Sequence, residues 1–283
     1  MKARNWISNV GVGAAISALA FANAVHAQNN PDREPEVRIP DNPRLGLEGP
    51  RVLVLLAHPD DEVLLMPALS RIARSGGTVT IAYATSGDAS PGLSDAEQGT
   101  ALAKLREQDA RCSAFALRLE EPQFWQLGEG TLASDAHLPD STARTLITYV
   151  DQAIRQTRPN VIFTFGPDGA SGHADHRMVS AATTQVVQAM DGGRPDLLYL
   201  ALPAKAPPDL PGFESWAAVN PVFITDRIAF EPRDIAASKD ALQCYQTQFD
   251  EGASDQLIEA LNQNLWRGQV HMRLALPNST DIE

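Results

Sequence analysis

The sequence predicts an α/β protein built on a mostly parallel β-sheet with helices on both faces. Short apolar runs without polar alternation, such as residues 51–57 (RVLVLLA), are typical of strands that are covered on both faces. Segments with helical spacing of apolar residues follow these runs. Strands that alternate with helices form βαβ units, in which the strands are parallel.

The expected elements alternate along the chain. We expect strands at residues 51–57, 78–84, 160–165, 197–201 and 222–225. We expect helices at residues 61–75, 95–117, 141–156, 174–190, 232–249 and 254–273. Gly76 and Gly77 end the first helix, because glycine favours the position just after a helix. The sequence therefore predicts one α/β domain at residues 49–283.

The first 48 residues have the composition of a targeting segment and a linker. Lys2 and Arg4 precede an uncharged stretch rich in alanine, valine and isoleucine, which small residues close at Ala27. This layout predicts a signal peptide at residues 1–27 and an exported protein, periplasmic or extracellular. Residues 28–48, rich in asparagine, proline and charge, predict a linker. We expect no membrane anchor after cleavage, and the oligomeric state stays open.

Charge and cysteine content restrict the partners. The chain of 283 residues has a net charge of −12, so nucleic acid and anionic lipid would be repelled. A neutral or cationic substrate, either a small molecule or a glycan, is compatible with this charge. Cys112 and Cys244 are the two cysteines. They have two interpretations: a disulfide in an oxidising compartment, or two buried free thiols.

Chemistry-bearing residues are concentrated in two loops, each directly after an expected strand. The first reads Ala57-His-Pro-Asp-Asp-Glu62, and the second, rich in glycine, ends in Gly172-His-Ala-Asp-His176. Ligands of doubly wound sheets bind at the carboxyl ends of strands, so both loops lie where chemistry is expected. Helix capping accounts for one or two of the three acids in the first loop, but not for the histidine beside them.

Histidine and aspartate donors without cysteine predict a zinc site, with Fe²⁺, Co²⁺ or Ni²⁺ as substitutes. Three of the six histidines in the chain lie in the two loops. A catalytic zinc takes three protein ligands and lowers the pKa of a water at its fourth position to roughly 7. A carboxylate that is not a ligand can then accept the proton of that water. We expect one zinc per chain.

The two loops resemble the motifs of the PIG-L/LmbE-like N-acetylglucosamine deacetylases. Weaker similarities at residues 85–88, 106–109 and 239–248 extend the resemblance over about residues 52–249. The resemblance implies a Rossmann-like fold and the activity of an N-deacetylase, which hydrolyses carbon–nitrogen bonds other than peptide bonds. It also implies three zinc ligands: His58, Asp61 and His176.

The resemblance assigns further roles by position. Asp60 corresponds to the general base. His173 corresponds to the group that protonates the leaving amine or stabilises the oxyanion, with Asp175 orienting it. Arg106 and Glu129 correspond to residues that hold sugar hydroxyls.

Other positions qualify the resemblance. Glu62 is expected to lie behind the metal ligands. Four residues depart from the family pattern and leave the sugar specificity open: Asp109, Glu129, Ser171 and Ala174. Five aromatic residues are expected to be structural: Trp125, Trp216, Trp266, His137 and His271.

The function expected from these features is removal of an acetyl group from an N-acetylated amino sugar of the N-acetylglucosamine type. Two alternatives remain. One is a zinc amidase acting on another acyl-amide, such as a thiol conjugate or an acylated glycopeptide. The other is a carbohydrate-binding protein without catalysis, which would have no use for a general base.

Overall fold

A computed structural model describes residues 43–45, 49–203 and 216–277. The predicted signal peptide and most of the predicted linker lie outside the described residues. The strands are β1 (Arg51–Leu56), β2 (Thr78–Tyr83), β3 (Gln123–Phe124), β4 (Val161–Thr164), β5 (Asp196–Leu200), β6 (Leu202–Pro203), β7 (Ala218–Val219), β8 (Asp226–Ala229) and β9 (Gln269–Leu274). The helices are α1 (Met66–Arg74), α2 (Thr100–Ala116), α3 (Thr142–Thr157), α4 (Ala174–Gln188), α5 (Pro232–Gln243) and α6 (Glu251–Leu261).

Seven strands form the main sheet in the order β3-β2-β1-β4-β5-β9-β8. The first five are parallel, whereas β9 is antiparallel to both β5 and β8. Short strands β6 and β7 form a separate parallel pair. The order of the parallel strands reverses between β1 and β4, which makes that position the topological switch point where ligands of such sheets bind. The predicted mostly parallel sheet is confirmed.

The helices form two groups. Helices α3 and α4 pack together and both contact β1, while α1, α2 and α6 pack around α5. Each crossover between parallel strands is right-handed. Helices of connections that run one way along the sheet therefore lie on one face, and helices of connections that run the other way lie on the opposite face. The interior strands are covered accordingly: in β1 every residue after Arg51 is buried, and all of β4 is buried.

Two predictions near the C-terminus are wrong. The helix expected at residues 254–273 ends early, and its last part is strand β9. Arg267 and Gly268 have positive φ angles of 50° and 91°, which stop the helical geometry, and Val270 and Met272 are then buried in strand-like alternation. The strand expected at residues 222–225 is instead a 3₁₀ turn, which begins at Pro221 and is capped by Asn220.

The end of the predicted linker packs against the domain. Pro43–Leu45 form a 3₁₀ turn in which Leu45 is buried. Arg44 forms ion pairs with Asp196 at 3.2 Å and with Asp226 at 3.1 Å, at the starts of β5 and β8. Within the described ranges, no helix is long and apolar enough to cross a membrane.

Candidate active site

The two motif loops follow β1 and β4, so they meet at the switch point of the sheet. His58 and Asp61 follow β1, and His176 lies in the first turn of α4. Asp61 Oδ1 lies 3.1 Å from His176 Nε2, and Asp61 Oδ2 lies 3.6 Å from His58 Nδ1. The two facing imidazole nitrogens are 3.3 Å apart. The side chains expected to bind the metal therefore converge, although residues 58 and 176 are far apart in sequence.

The opposite edge of each imidazole is held by the protein. His58 Nε2 lies 3.2 Å from Asp175 Oδ2, and His176 Nδ1 lies 3.0 Å from the Gly169 carbonyl. Asp61 Oδ2 accepts hydrogen bonds from the amides of Ala57 and His58. Such outer hydrogen bonds fix the ring tautomer and orientation of metal-binding histidines.

Asp175 contacts His173 through its backbone amide, whereas its carboxylate contacts His58. The Asp175 carboxylate is fully buried and is held by the amides of Gly130 at 2.7 Å and Leu132 at 3.2 Å, with its remaining contact to His58. His173 is oriented by the backbone instead. It caps α4, and its Nδ1 accepts a hydrogen bond from the Asp175 amide at 3.1 Å.

The electrostatic environment of these residues favours a cation. Burial by itself lowers the pKa of His58, but hydrogen bonds with Asp175 and Asp61 outweigh it and raise that pKa to about 10. Burial opposes ionisation of Asp61, yet His176 and His58 hold its pKa well below the usual value. His58, His173 and His176 offer ligand atoms within 4.8 Å of one another. Together with Asp61, this donor set fits a divalent metal such as zinc.

Asp60 does not act as a helix cap. Its side chain makes no capping hydrogen bond, and its backbone is left-handed, with φ 96° and ψ −17°. Its Oδ2 accepts a hydrogen bond from Arg106 at 2.9 Å. Burial raises the pKa of Asp60 to about 7, against the opposing effect of the Arg106 charge. Asp60 is thus a carboxylate beside the converging ligands that is bound by an arginine.

The two residues expected to hold sugar hydroxyls have partners within the protein. Arg106 is buried and contacts Pro59, Asp60, Gly87 and Ser90. Glu129 is half-buried, and its carboxylate accepts hydrogen bonds from the amide of Ala89 at 2.9 Å and the hydroxyl of Ser90 at 2.5 Å. Both side chains therefore fix the loop after β2 above the site.

Glu62 lies in a buried cluster next to the expected ligand Asp61. Its carboxylate accepts hydrogen bonds from Tyr83 at 2.9 Å, Ser113 at 2.8 Å and Tyr245 at 2.6 Å. Burial raises the pKa of Glu62 against these hydrogen bonds. The cluster anchors the first motif loop to β2, α2 and the end of α5. Sequence reasoning missed the three partners, because a lone tyrosine or serine in an apolar segment carries no signal.

A disulfide joins Cys112 of α2 to Cys244 at the end of α5, with a Cα–Cα distance of 5.6 Å. The disulfide interpretation is confirmed, and that of two free thiols is wrong. Ser113 and Tyr245, which bind Glu62, directly follow the two cysteines in sequence. Asp109, one turn before Cys112, accepts hydrogen bonds from the amide and hydroxyl of Thr247. The disulfide thus joins the two segments whose Ser113 and Tyr245 bind Glu62 of the first motif loop.

The fold and the site define a class: a doubly wound α/β protein whose switch-point loops carry a histidine–carboxylate site suited to a divalent metal. Residues 53–187 match the family model PIG-L, described as GlcNAc-PI de-N-acetylase. This part of the chain is therefore similar to the PIG-L family, as the two motifs predict.

Known proteins resemble the chain in sequence and in structure. The 1D-myo-inositol 2-acetamido-2-deoxy-alpha-D-glucopyranoside deacetylase of Rhodococcus erythropolis is 28% identical over 156 residues, which cover 49% of this chain and 53% of that protein. The chain thus spans about half the length of the curated relatives it matches.

Two solved structures share the fold. The teicoplanin deacetylase Orf2, in its zinc-inhibited form, has a TM-score of 0.55 at 18% identity, covering 79% of this chain and 97% of that one. GalB of Pseudomonas putida, a 4-carboxy-2-hydroxymuconate hydratase, has a TM-score of 0.56 at 12% identity, covering 83% and 99%. Because these two proteins are named for different reactions, the fold alone does not select the chemistry.

Proposed function

We propose that the protein is a metal-dependent hydrolase that removes the acetyl group from an N-acetylated amino sugar. The observation that carries the proposal is the buried convergence of His58, Asp61 and His176 beside Asp60, a carboxylate bound by an arginine and not by those three side chains. The similarity to a deacetylase of an acetamido-deoxy-glucopyranoside supports the same substrate class.

His58, Asp61 and His176 would hold the metal. A divalent ion bound there supplies Lewis acidity, which lowers the pKa of a water molecule and polarises the amide carbonyl. Outer hydrogen bonds to the Asp175 carboxylate and the Gly169 carbonyl keep the two imidazoles aimed at the site.

Asp60 is the proposed general base. It accepts a proton from the attacking water, which then adds to the acetyl carbonyl carbon. Its carboxylate suits this role because it is not one of the three expected metal ligands and is held by Arg106. When the carbon–nitrogen bond breaks, Asp60 returns that proton to the leaving nitrogen, and acetate and a free amine result.

His173 is the proposed donor to the oxyanion. Its Nδ1 accepts a hydrogen bond from the Asp175 amide, so the proton of the neutral ring lies on Nε2. Burial, followed by the charges of His58 and His176, lowers the pKa of His173. A neutral imidazole donates a hydrogen bond readily but does not give up its only proton. Of the two roles that the resemblance assigns to His173, this geometry favours stabilisation of the oxyanion.

The test is acetate release by the zinc-loaded protein from N-acetylglucosamine, N,N′-diacetylchitobiose and longer chitooligosaccharides. We expect wild type to release acetate and Asp60→Asn to be slower by about 10²–10⁴-fold, because asparagine cannot accept the proton. The variant should stay folded with its zinc bound, since the three ligands remain. Asp140→Asn, which replaces an exposed aspartate in a turn, is the matched control and should keep full activity.

Each alternative has its own result when amides with other acyl groups are added to this assay. Amine formation from those amides, without acetate release from the N-acetyl sugars, would indicate a different amidase. Sugar binding without any product would indicate a carbohydrate-binding protein. Near-normal turnover of Asp60→Asn would overturn the mechanism, and loss of its zinc would mean that Asp60 is a ligand.

We further propose that the protein is exported. The Cys112–Cys244 disulfide supports this location, because disulfides persist in oxidising compartments and are rare in the cytosol. The charge and apolar pattern before Ala27 supports it independently. N-terminal sequencing of protein made in a bacterial host should begin at or near Gln28. A cytosolic product that still begins at Met1 would contradict the proposal.

A further inference from the structure

The disulfide and the first motif loop are connected through one buried carboxylate. Ser113 Oγ and Tyr245 Oη both donate to Oε1 of Glu62, at 2.8 Å and 2.6 Å. Each donor is the residue directly after a disulfide-bonded cysteine, Cys112 or Cys244. The disulfide therefore limits how far apart the two segments that carry these hydroxyls can move.

The Glu62 carboxylate depends on these hydroxyls. Glu62 is 1% exposed, and within the described ranges no cationic side chain forms an ion pair with it. Its other carboxylate oxygen accepts one hydrogen bond, from Tyr83 on β2 at 2.9 Å. A buried charge is stable only where hydrogen bonds replace its hydration, so losing a donor is unfavourable. We therefore expect the carboxylate to follow its two donors when the segments that carry them move.

A movement of Glu62 reaches the expected metal ligand Asp61 directly. The two are consecutive residues of one 3₁₀ turn, Asp61–Leu64. A hydrogen bond from the Val63 amide to the Asp60 carbonyl, at 3.0 Å, closes this turn. Because the turn is closed in this way, we expect it to shift as a unit and to carry the ligand carboxylate with it.

We infer that the Cys112–Cys244 disulfide positions the metal site, so that the protein binds zinc more tightly with this bond than without it. The inference rests on the proposed metal site. The effect passes through the hydroxyls of Ser113 and Tyr245 to Glu62, which makes these three positioning residues. In the chain-entropy model a disulfide acts on the unfolded chain alone, and the zinc affinity of the folded protein would not change. The zinc affinity therefore distinguishes positioning from simple stabilisation.

The experiment measures the zinc Kd of wild type and of Cys112→Ser/Cys244→Ser by competition with a chromophoric chelator. The temperature is chosen so that both proteins are folded by circular dichroism. Serines are used in place of reduced cysteines because free thiolates bind zinc themselves. Disturbing the groups that hold metal ligands typically weakens metal affinity by about 10–100-fold, so we expect the Kd of the variant to weaken by about tenfold. An unchanged Kd would overturn the inference.

A variant destabilised elsewhere is the matched control. Ile154→Ala truncates a buried side chain near the C-terminal end of α3, which leads into the start of β4. This lies at the edge of the sheet opposite the motif loops. Such a truncation lowers stability by an amount similar to the loss of a disulfide. Its zinc Kd should stay within about twofold of wild type, because distant sites without shared partners act independently.

Tyr245→Phe tests the route while the disulfide is intact. The variant loses the shorter of the two hydrogen bonds to Glu62 Oε1 and keeps the aromatic ring. We expect its zinc Kd to weaken by about threefold or more, since one of the two hydroxyls remains. The same change should have a smaller effect when serines already replace the cysteines, because two changes along one route are not additive. If the serine variant does not fold, the Kd of Tyr245→Phe decides by itself.

The outcomes separate the inference from the proposed function. An unchanged Kd in Tyr245→Phe, effects of the two changes that multiply, or an equal weakening in Ile154→Ala would each overturn the inference. Zinc binding by wild type without acetate release from any sugar would overturn the proposed deacetylation and leave the inference standing. Absence of zinc binding by wild type would overturn the proposed metal site, and the inference with it. A weaker Kd in the serine variant and in Tyr245→Phe, with that of Ile154→Ala unchanged, supports the inference.

Discussion

Loss of the Cys112–Cys244 disulfide should destabilise the protein measurably. The bond closes a loop with a sequence separation of 132 residues. In the chain-entropy model, closing a loop of this length stabilises the fold by at most about 5 kcal/mol, and typical measured values are about 2–4 kcal/mol. For a protein of this size, about 3 kcal/mol corresponds to a fall in Tm of roughly 6–12 °C. We expect a fall in this range for the Cys112→Ser/Cys244→Ser variant.

The assay is thermal unfolding of wild type with and without a phosphine reductant, followed by titration of thiols in the unfolded protein. Unreduced wild type should show no free thiol, and reduced wild type should melt close to the double variant. The double variant with reductant is the control, because the chain has no other cysteine and its Tm should not move. An unchanged Tm in wild type whose two thiols both titrate would refute the reasoning.

Two further predictions concern the histidines. His176→Ala should lose most of its zinc, measured by elemental analysis of the dialysed protein, whereas stoichiometric zinc would refute its assignment as a ligand. Burial, followed by the charges of Arg227 and Arg267, lowers the pKa of His271 to about 4. Its ordinary pKa is about 6.5, so its neutral form stabilises the fold fully above pH 6.5, and this contribution is lost as the pH falls towards 4. When the pH is lowered from 7 to 5, the free energy of unfolding should therefore fall by about 1–2 kcal/mol less in His271→Gln than in wild type. Denaturant titrations at the two pH values measure this difference. Equal losses would contradict the prediction.

The sequence predicted the position of the site because its signal is local. His58 and Asp61 directly follow an apolar strand, and His176 follows a glycine-rich loop after another. Parallel strands then bring both loops to one edge of the sheet whatever the details of packing. The convergence of these side chains therefore needed only the alternation of strands and helices.

The hydrogen-bond partners of the site residues could not be predicted from the sequence in the same way. Asp175 lies two residues from His173, yet its carboxylate binds His58 from the other loop. Glu62 adjoins Asp61 but points into the interior. Neighbours in sequence at the start of a helix face different directions, so the choice of partner depends on tertiary contacts. The resemblance to a family transfers positions, whereas the hydrogen bonds depend on the whole fold.

Strand β9 shows a different limit of prediction from the sequence. Residues 269–274 follow a helix without a long loop, and the apolar spacing of residues 254–266 continues smoothly into them. The deciding features are the left-handed pair Arg267 and Gly268. Glycine after a helix is a recognised stop signal, and the alternation of Val270 and Met272 could have been read with it.

The site joins two loops that lie far apart along the chain. His58 and His176 are 118 residues apart, and they follow the adjacent central strands β1 and β4. An ion shared by the two loops would fasten them only in the folded chain, so it would stabilise that state by mass action. At a free metal concentration about 1,000 times Kd, this amounts to roughly 4 kcal/mol. A chelator should therefore lower the Tm of wild type and leave that of His176→Ala unchanged, which makes the heat resistance of the protein a readout of metal supply.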